Sequence, residues 1–255
     1  MYEDISYDVD GYVGVLCIRR PDVRNALRWQ TYAELEDAVR RCTARCLVIT
    51  GEDPAFCSGD DVRQVMGGGE KPPDIGPTPR LTPAADALLH SDIPIVAAVN
   101  GAAVGWGMEL ALMADVRVAS ERARFGELFI RRGLCTDVPG IGLLAQSVGR
   151  QRAAELLLTG RVVDAAEAKA IGLVLDVVPH DELRPAALRL AAAIADNPPL
   201  AASAIKRGMR QALDPDWEAL GRWVSSTLAE LFRTEDHREG VKAFLDKREP
   251  HYVGR

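Results

Sequence analysis

Long hydrophobic runs are missing from this 255-residue chain, and none approaches the roughly 20 apolar residues a membrane-spanning helix needs. Its acidic start, Met1-Tyr2-Glu3-Asp4, lacks the basic-then-apolar layout of a signal peptide. No dense Lys/Arg tract offsets a net charge of −6, so neither nucleic acid nor an anionic membrane surface is an expected partner. A small basic cluster, Lys242 to Arg248, is compatible with a phosphorylated ligand, although a solvated helix face accounts for it on composition alone. The five cysteines (17, 42, 46, 57 and 135) are odd in number and form no CxxC, and the four histidines are scattered. Reduced thiols in a cytoplasmic protein fit that usage, and neither a zinc site nor any other metal centre is expected. No repeat of fixed period is visible.

What is present is ordinary in amount and particular in arrangement. Hydrophobic residues make up 47% of the chain, enough to fill a core, and 27% are charged, as in globular proteins generally. The length suits one large domain, or one domain with an appendage. The most informative stretch is Asn100 to Asp115, NGAAVGWGMELALMAD. An apolar run, Ile93 to Val99, leads into it as a buried strand would. Gly101 and Gly105-Trp106-Gly107 turn the chain, and Met108 to Ala114 follows as a helix that is apolar except for Glu109. Strand, glycine turn and helix start aim backbone N–H groups at one point, which favours negative charge. A carboxylate among apolar helix residues is costly to bury without a partner or a task. Together these suggest an enzyme that stabilises an oxyanion and moves a proton.

Along the rest of the chain, Tyr12 to Ile18 reads as a strand and Arg19 to Asp22 as its turn. Asn25 is expected to cap the next helix, with Leu27, Tyr32, Leu35 and Val39 along one face. Cys46 to Thr50 is a short buried strand, and Cys57-Ser58-Gly59-Asp60-Asp61-Val62 leads into another helix. Residues 67–80 (GGGEKPPDIGPTPR) concentrate glycine and proline, as a lid, a substrate-facing loop or an inert surface loop would. No GK[ST] follows, so it is not a phosphate-binding P-loop. Further strands are expected at Val116–Ala119, Phe125-Gly126 and Leu173–Val178. Helices are expected up to Gly149, over Gln151–Leu158, and over Ala165–Ala170 with Asp164 as cap. From Asp181 the chain is helical, broken at Asn197-Pro198-Pro199. The pattern is α/β, with a core over 1–195 and a helical region over 196–255.

These segments resemble the crotonase superfamily, which contains enoyl-CoA hydratases and isomerases. The likeness rests on Arg20 to Leu27, Phe56 to Val62, Asn100 to Asp115, Leu158 to Arg161 with Ala166-Glu167-Ala168, Gly172 to Val174, Asn197 to Pro199 and Ala243 to Pro250, all in order. It implies a crotonase-like ββα spiral with a C-terminal helical region that assembles trimers, often paired into hexamers. It implies acyl-CoA thioester substrates and no cofactor beyond the substrate's own coenzyme A. By the resemblance, the backbone N–H groups of Asp60 and Trp106 hold the thioester oxygen, Trp106 standing where the family usually has glycine. Glu109 matches a catalytic glutamate. The second hydratase glutamate is replaced by Phe129, with Glu127 two residues early. Asp137 matches an aspartate that serves as base in dienoyl-CoA isomerases, although a turn or helix-cap aspartate would look the same. Arg24, Ser58, Val62, Gly105, Phe244 and Lys247 complete the implied CoA and substrate contacts, with Phe244 and Lys247 reaching a neighbouring subunit. Hydration needs an activated water and a delivered proton, whereas a double-bond shift needs one proton removed and returned, so the missing glutamate tilts away from hydration.

Two rivals remain at this level. A dinucleotide-binding oxidoreductase would share the strand, glycine turn and helix, but Leu110 replaces the third glycine of that fingerprint. A non-catalytic acyl-CoA binder on the same fold would have no need of Glu109 against the thioester.

Overall fold

The computed structural model describes residues 2–66 and 81–255, so the glycine- and proline-rich 67–80 lie outside the described residues. The chain runs β1 (Ile5–Asp10), β2 (Val13–Ile18), α1 (Trp29–Arg40), β3 (Cys46–Gly51), β4 (Ala55–Cys57), α2 (Pro83–Leu89), β5 (Ile95–Val99) and β6 (Ala102–Val104). It continues through α3 (Trp106–Leu112), β7 (Val116–Ser120), β8 (Arg124–Gly126), α4 (Val138–Val148), α5 (Arg150–Thr159), β9 (Val163–Asp164), α6 (Ala165–Ala170) and β10 (Asp176–Val178). Four helices close it: α7 (Leu183–Ala195), α8 (Pro199–Leu213), α9 (Trp217–Leu231) and α10 (Glu235–Asp246).

Successive strand pairs divide between two sheets. β3, β5 and β7 join the sheet ordered β1-β2-β3-β5-β7-β10, while β4, β6 and β8 join the sheet ordered β4-β6-β8-β9. Apart from the β1–β2 and β8–β9 edges the pairings are parallel. Each pair is followed by helical structure, which is the expected ββα spiral. Both faces of the larger sheet are covered, which explains the unbroken apolar runs in β3 and β5. One face meets the main core. The other takes Leu183, Ala187, Ala191 and Ala195 of α7, which pack with Val48, Val96, Ala98 and Val118.

Several expectations shift. β1 was not foreseen: its sequence, ISYDVD, is polar and only Ile5 is buried, as suits an edge strand. Leu173–Val178 shrinks to the three residues of β10. Asn25 caps no helix: it is fully buried at φ 56, accepts the Arg20 N–H and donates to the carbonyls of Glu52 and Ala55. The helix begins four residues later, with Thr31 Oγ1 accepting the Arg28 N–H. After Asp60 and Asp61, Val62–Met66 forms one π-helical turn. Asp164 does cap α6, accepting the Glu167 N–H at 2.9 Å.

The C-terminal helices are more than an appendage. Trp217 and Val224 of α9 belong to the main core cluster. Gly240 of α10 lies so close to the Arg131–Arg132 backbone that a Cβ would meet Arg132 Cα at 2.8 Å.

Candidate active site

The site assembles where two loops touch. Gly59, at φ 84, lies against Gly105, at φ 55, and a Cβ on Gly59 would come within 2.9 Å of the Val104 carbonyl and 3.4 Å of the Trp106 nitrogen. Glycine is required at both positions for its positive φ. Gly107 serves by close approach instead, since a side chain there would overlap the Cys57 carbonyl. Parallel bridging by Leu27 fixes the first loop: its N–H donates to Gly59 O at 2.8 Å, and its carbonyl accepts the Asp61 N–H at 2.8 Å. These contacts use the groups on either side of the Asp60 N–H. Among the described residues, neither the Asp60 N–H nor the Trp106 N–H has a hydrogen-bond acceptor.

A seven-residue helix such as α3 is too short to be stable alone. Tertiary packing forms it: Trp106 through Leu112 are all buried. Full burial of Met108 and Leu110 contributes about 1.5–3 kcal/mol each. The Trp106 ring stands edge-on to Tyr32, with centroids 4.8 Å apart.

Beside this junction lies a cavity of about 630 Å³, whose wall includes Trp29, Tyr32, Trp106, Phe129, Leu134 and Phe232. That volume is typical of a small-molecule site. Asp60, Asp137 and Glu36 bring carboxylates to the wall, and Leu228 and Phe232 come from α9 and the residue after it. Asp60 accepts the Tyr32 hydroxyl at 2.6 Å. Burial pushes the Asp60 carboxyl up to about 6, with the charge of Asp137 adding to the rise and the Tyr32 hydrogen bond opposing it. Asp137 is the N-cap of α4; its Oδ1 accepts the Val138 N–H at 2.8 Å, and burial raises its pKa.

Glu109 sits behind this wall rather than on it, with no accessible surface. Its Oε1 accepts the Asp137 backbone N–H at 2.9 Å and lies 2.7 Å from Thr136 Oγ1. The same hydroxyl oxygen is 3.0 Å from Glu127 Oε2, and Glu127 is 1% exposed. Burial pushes Glu127 up to about 8 and Glu109 well above the usual carboxylate range, the neighbouring carboxylates adding to the Glu109 shift. Gly140, in the first turn of α4, makes room for the cluster: a Cβ there would overlap the Thr136 hydroxyl and stand 2.8 Å from Glu109 Oε1.

The structure therefore brings together Asp60, Trp106, Phe129 and Asp137, with Glu109 one layer deeper. Gly105 adjoins the Phe129 ring, at 3.9 Å from a built Cβ. Arg24 and Ser58 are neighbours, the Arg24 carbonyl accepting the Ser58 N–H at 3.1 Å, and Val62 opens the π-helical turn whose Val65 reaches the cavity wall. Phe244 and Lys247 lie on and after α10, outside the cavity wall; Phe244 is half exposed beneath the Arg132 guanidinium. In the sequence reading Thr136 has no role, nor has Tyr32 as the partner of Asp60, and Glu127 is named only as two residues early of the family position. Counting along a strand or a helix could not place Glu127, because it occupies the loop after β8.

The chain matches the model of the enoyl-CoA hydratase/isomerase family over residues 9–255. It is 36% identical to a probable enoyl-CoA hydratase of Rhodobacter capsulatus over 256 residues, spanning 100% of this chain and 99% of that one. With the 2,3-dehydroadipyl-CoA hydratase of Escherichia coli it shares 38% identity over 247 residues, 94% of this chain and 95% of the other. A solved enoyl-CoA hydratase/isomerase from Pseudoalteromonas atlantica superimposes with a TM-score of 0.89 at 30% identity, covering 98% of this chain and 100% of that one.

Proposed function

The chain belongs to the enoyl-CoA hydratase/isomerase family, and from that premise we propose an acyl-CoA enzyme that shifts a double bond by proton transfer through Asp137. The thioester oxygen sits between the N–H groups of Asp60 and Trp106, which are worth about 3 kcal/mol each to a developing oxyanion. The Asp137 carboxylate takes a proton from a carbon of the acyl chain. The electron pair moves toward the thioester oxygen, giving an enolate, and the carboxyl returns the proton to a different carbon. The thioester bond stays intact and no redox equivalent is consumed, so no cofactor beyond the substrate's coenzyme A is required. Arg24, Ser58, Val62, Phe244 and Lys247 are assigned to the CoA portion, and Gly105 and Phe129 to the acyl side.

One observation carries the choice of migration over hydration. Asp137 lines the cavity, while Glu109 and Glu127 are tied to one Thr136 hydroxyl behind it. A hydratase needs a carboxylate pair free to hold water, and in this pair the hydroxyl already fills the gap. Glu109 then serves as the buried carboxylate that supports the Asp137 backbone rather than the group that reaches carbon. The test is a panel of 2-enoyl, 3-enoyl and dienoyl thioesters, following double-bond absorbance and water incorporation by mass. Migration without added water is expected. Dominant water addition overturns the reading, and binding without any turnover makes the chain a non-catalytic acyl-CoA binder.

The same reading assigns the exposed apolar residues Leu200, Ile205, Met209 and Leu213 of α8 to contact between copies of the chain, as a trimer or a dimer of trimers. A sedimentation mass of one chain would reject this. No described helix is long and apolar enough to cross a membrane, and we place the enzyme in the cytoplasm.

A further inference from the structure

The Thr136 hydroxyl has one hydrogen and two carboxylates within reach, Glu109 Oε1 at 2.7 Å and Glu127 Oε2 at 3.0 Å. It can donate to only one of them. Two ionised carboxylates cannot both be satisfied by it, because an ionised carboxylate only accepts. The second contact becomes a hydrogen bond when the other carboxyl carries a proton and donates to the threonine oxygen. Geometry says which one. Glu109 Oε1 also accepts the Asp137 N–H at 2.9 Å, at the N-terminal end of α4, where two donors and the helix dipole favour negative charge. Each glutamate has one oxygen buried without a partner, Glu109 Oε2 and Glu127 Oε1, but among the described residues the Glu127 carboxyl has no contact within hydrogen-bond distance except Thr136.

The surroundings argue the same way. Around the pair stand Asp137 on the cap of α4 and Asp60 on the loop after β4, both acidic. Tyr32 of α1 and Arg132, in the short helical turn after β8, bear on Asp60. No described Lys or Arg makes an ion pair with Glu109 or Glu127. A second negative charge in the pair would be buried and uncompensated.

We propose that Glu127 is a positioning residue: as a neutral acid it donates to Thr136, Thr136 donates to ionised Glu109, and Glu109 holds the Asp137 backbone. The two buried glutamates thus share one negative charge, and that charge anchors the start of α4 from which Asp137 faces the cavity. Burial raises both glutamates, Glu127 to about 8 and Glu109 well above the usual carboxylate range, as expected of a pair that retains a proton; the hydrogen bonds, not these shifts, assign it to Glu127. This assignment rests on the reading of Asp137 as the base for its effect on rate, but the proton itself can be sought without turnover.

Infrared difference spectra of wild type against Glu127→Gln at pH 7 test the proton. The expected result is a buried carboxylic-acid carbonyl band in wild type that is absent in the variant, whose amide reproduces the donation to Thr136. A band that survives unchanged in Glu127→Gln would put the proton on another carboxyl and overturn the proposal, as would a wild type with no such band. The second test is the pH profile of kcat/KM. The wild-type rate is expected to fall above about pH 8 as Glu127 ionises, and Glu127→Gln to lose that limb. Superimposable profiles would also overturn it. Thr136→Val, which keeps the shape and removes the bridge, is expected to shift the limb as well. If no thioester is turned over, the double-bond reading fails while the infrared result still decides the proton.

Discussion

Two acid–hydroxyl contacts flank the same cavity and behave differently. On the wall, Tyr32 donates to a single carboxylate, Asp60, at 2.6 Å. Behind the wall, Thr136 lies between two, Glu109 and Glu127. One hydroxyl serving one acid stabilises its ionised form and holds down the rise caused by burial, leaving Asp60 at about 6. One hydroxyl between two acids cannot satisfy both as anions, so the pair keeps a proton. The number of acceptors per donor, together with access to the cavity, decides whether a buried acid works as a charge or as a proton store.

The sharpest way to break this comparison is to remove the wall carboxylate. Asp137→Asn is expected to lower kcat by about 10²–10⁴-fold with acyl-CoA affinity changed only a few-fold, because general-base catalysis supplies that factor. Stopped-flow turnover alongside a binding titration would check it. Equal loss from Asp137→Asn and Glu109→Gln would erase the distinction between wall and buried layer.

Next in size is Gly140→Ala. The added methyl would overlap the Thr136 hydroxyl and crowd Glu109, so thermal unfolding should show a loss of about 1–3 kcal/mol, as for overpacked cores. An unchanged Tm would mean that the cluster is looser than its distances imply.

The pair also predicts a pH dependence of stability. Glu127 rises from 4.5 to about 8 on folding, so between those values the folded chain binds more proton than the unfolded one. Its contribution to stability is therefore fully present below about pH 4.5, declines as pH rises, and levels off above about 8. The slope reaches about 1 kcal/mol per pH unit. Denaturant titrations of wild type and Glu127→Gln across this window should diverge steadily, with the variant the less pH-sensitive.

The smallest effect belongs to the single-acceptor contact. Tyr32→Phe removes the donor to Asp60, and the Asp60 ionisation constant should fall by roughly a factor of ten. Carbon-13 NMR titration of labelled aspartate carboxyls would follow it. An unmoved midpoint would show that burial alone sets the Asp60 value.

The local grammar of this chain was legible in advance. Apolar runs and glycine turns announced an α/β core and Asp164 marked the start of α6, because these depend on contacts a few residues apart, while the ββα spiral came from the family resemblance. Glu109 stood out because its helix is otherwise apolar, and the two oxyanion N–H candidates came from the resemblance of the SGDD and GWG segments to a known family. What the linear pattern could not supply was the company each group keeps. Asn25 looked like a helix cap and instead ties β3 and β4 loops across a fold it cannot see. Glu127 looked displaced, yet a loop turns it onto Glu109, and Thr136 joins the two across nine and 27 residues of sequence. The sequence by itself determined that a carboxylate would be buried beside an anion-favouring turn. Only the tertiary structure decided that Asp137 takes the cavity wall and Glu109 the layer behind it, because desolvation and shared hydrogen bonds depend on distances between residues remote in the chain.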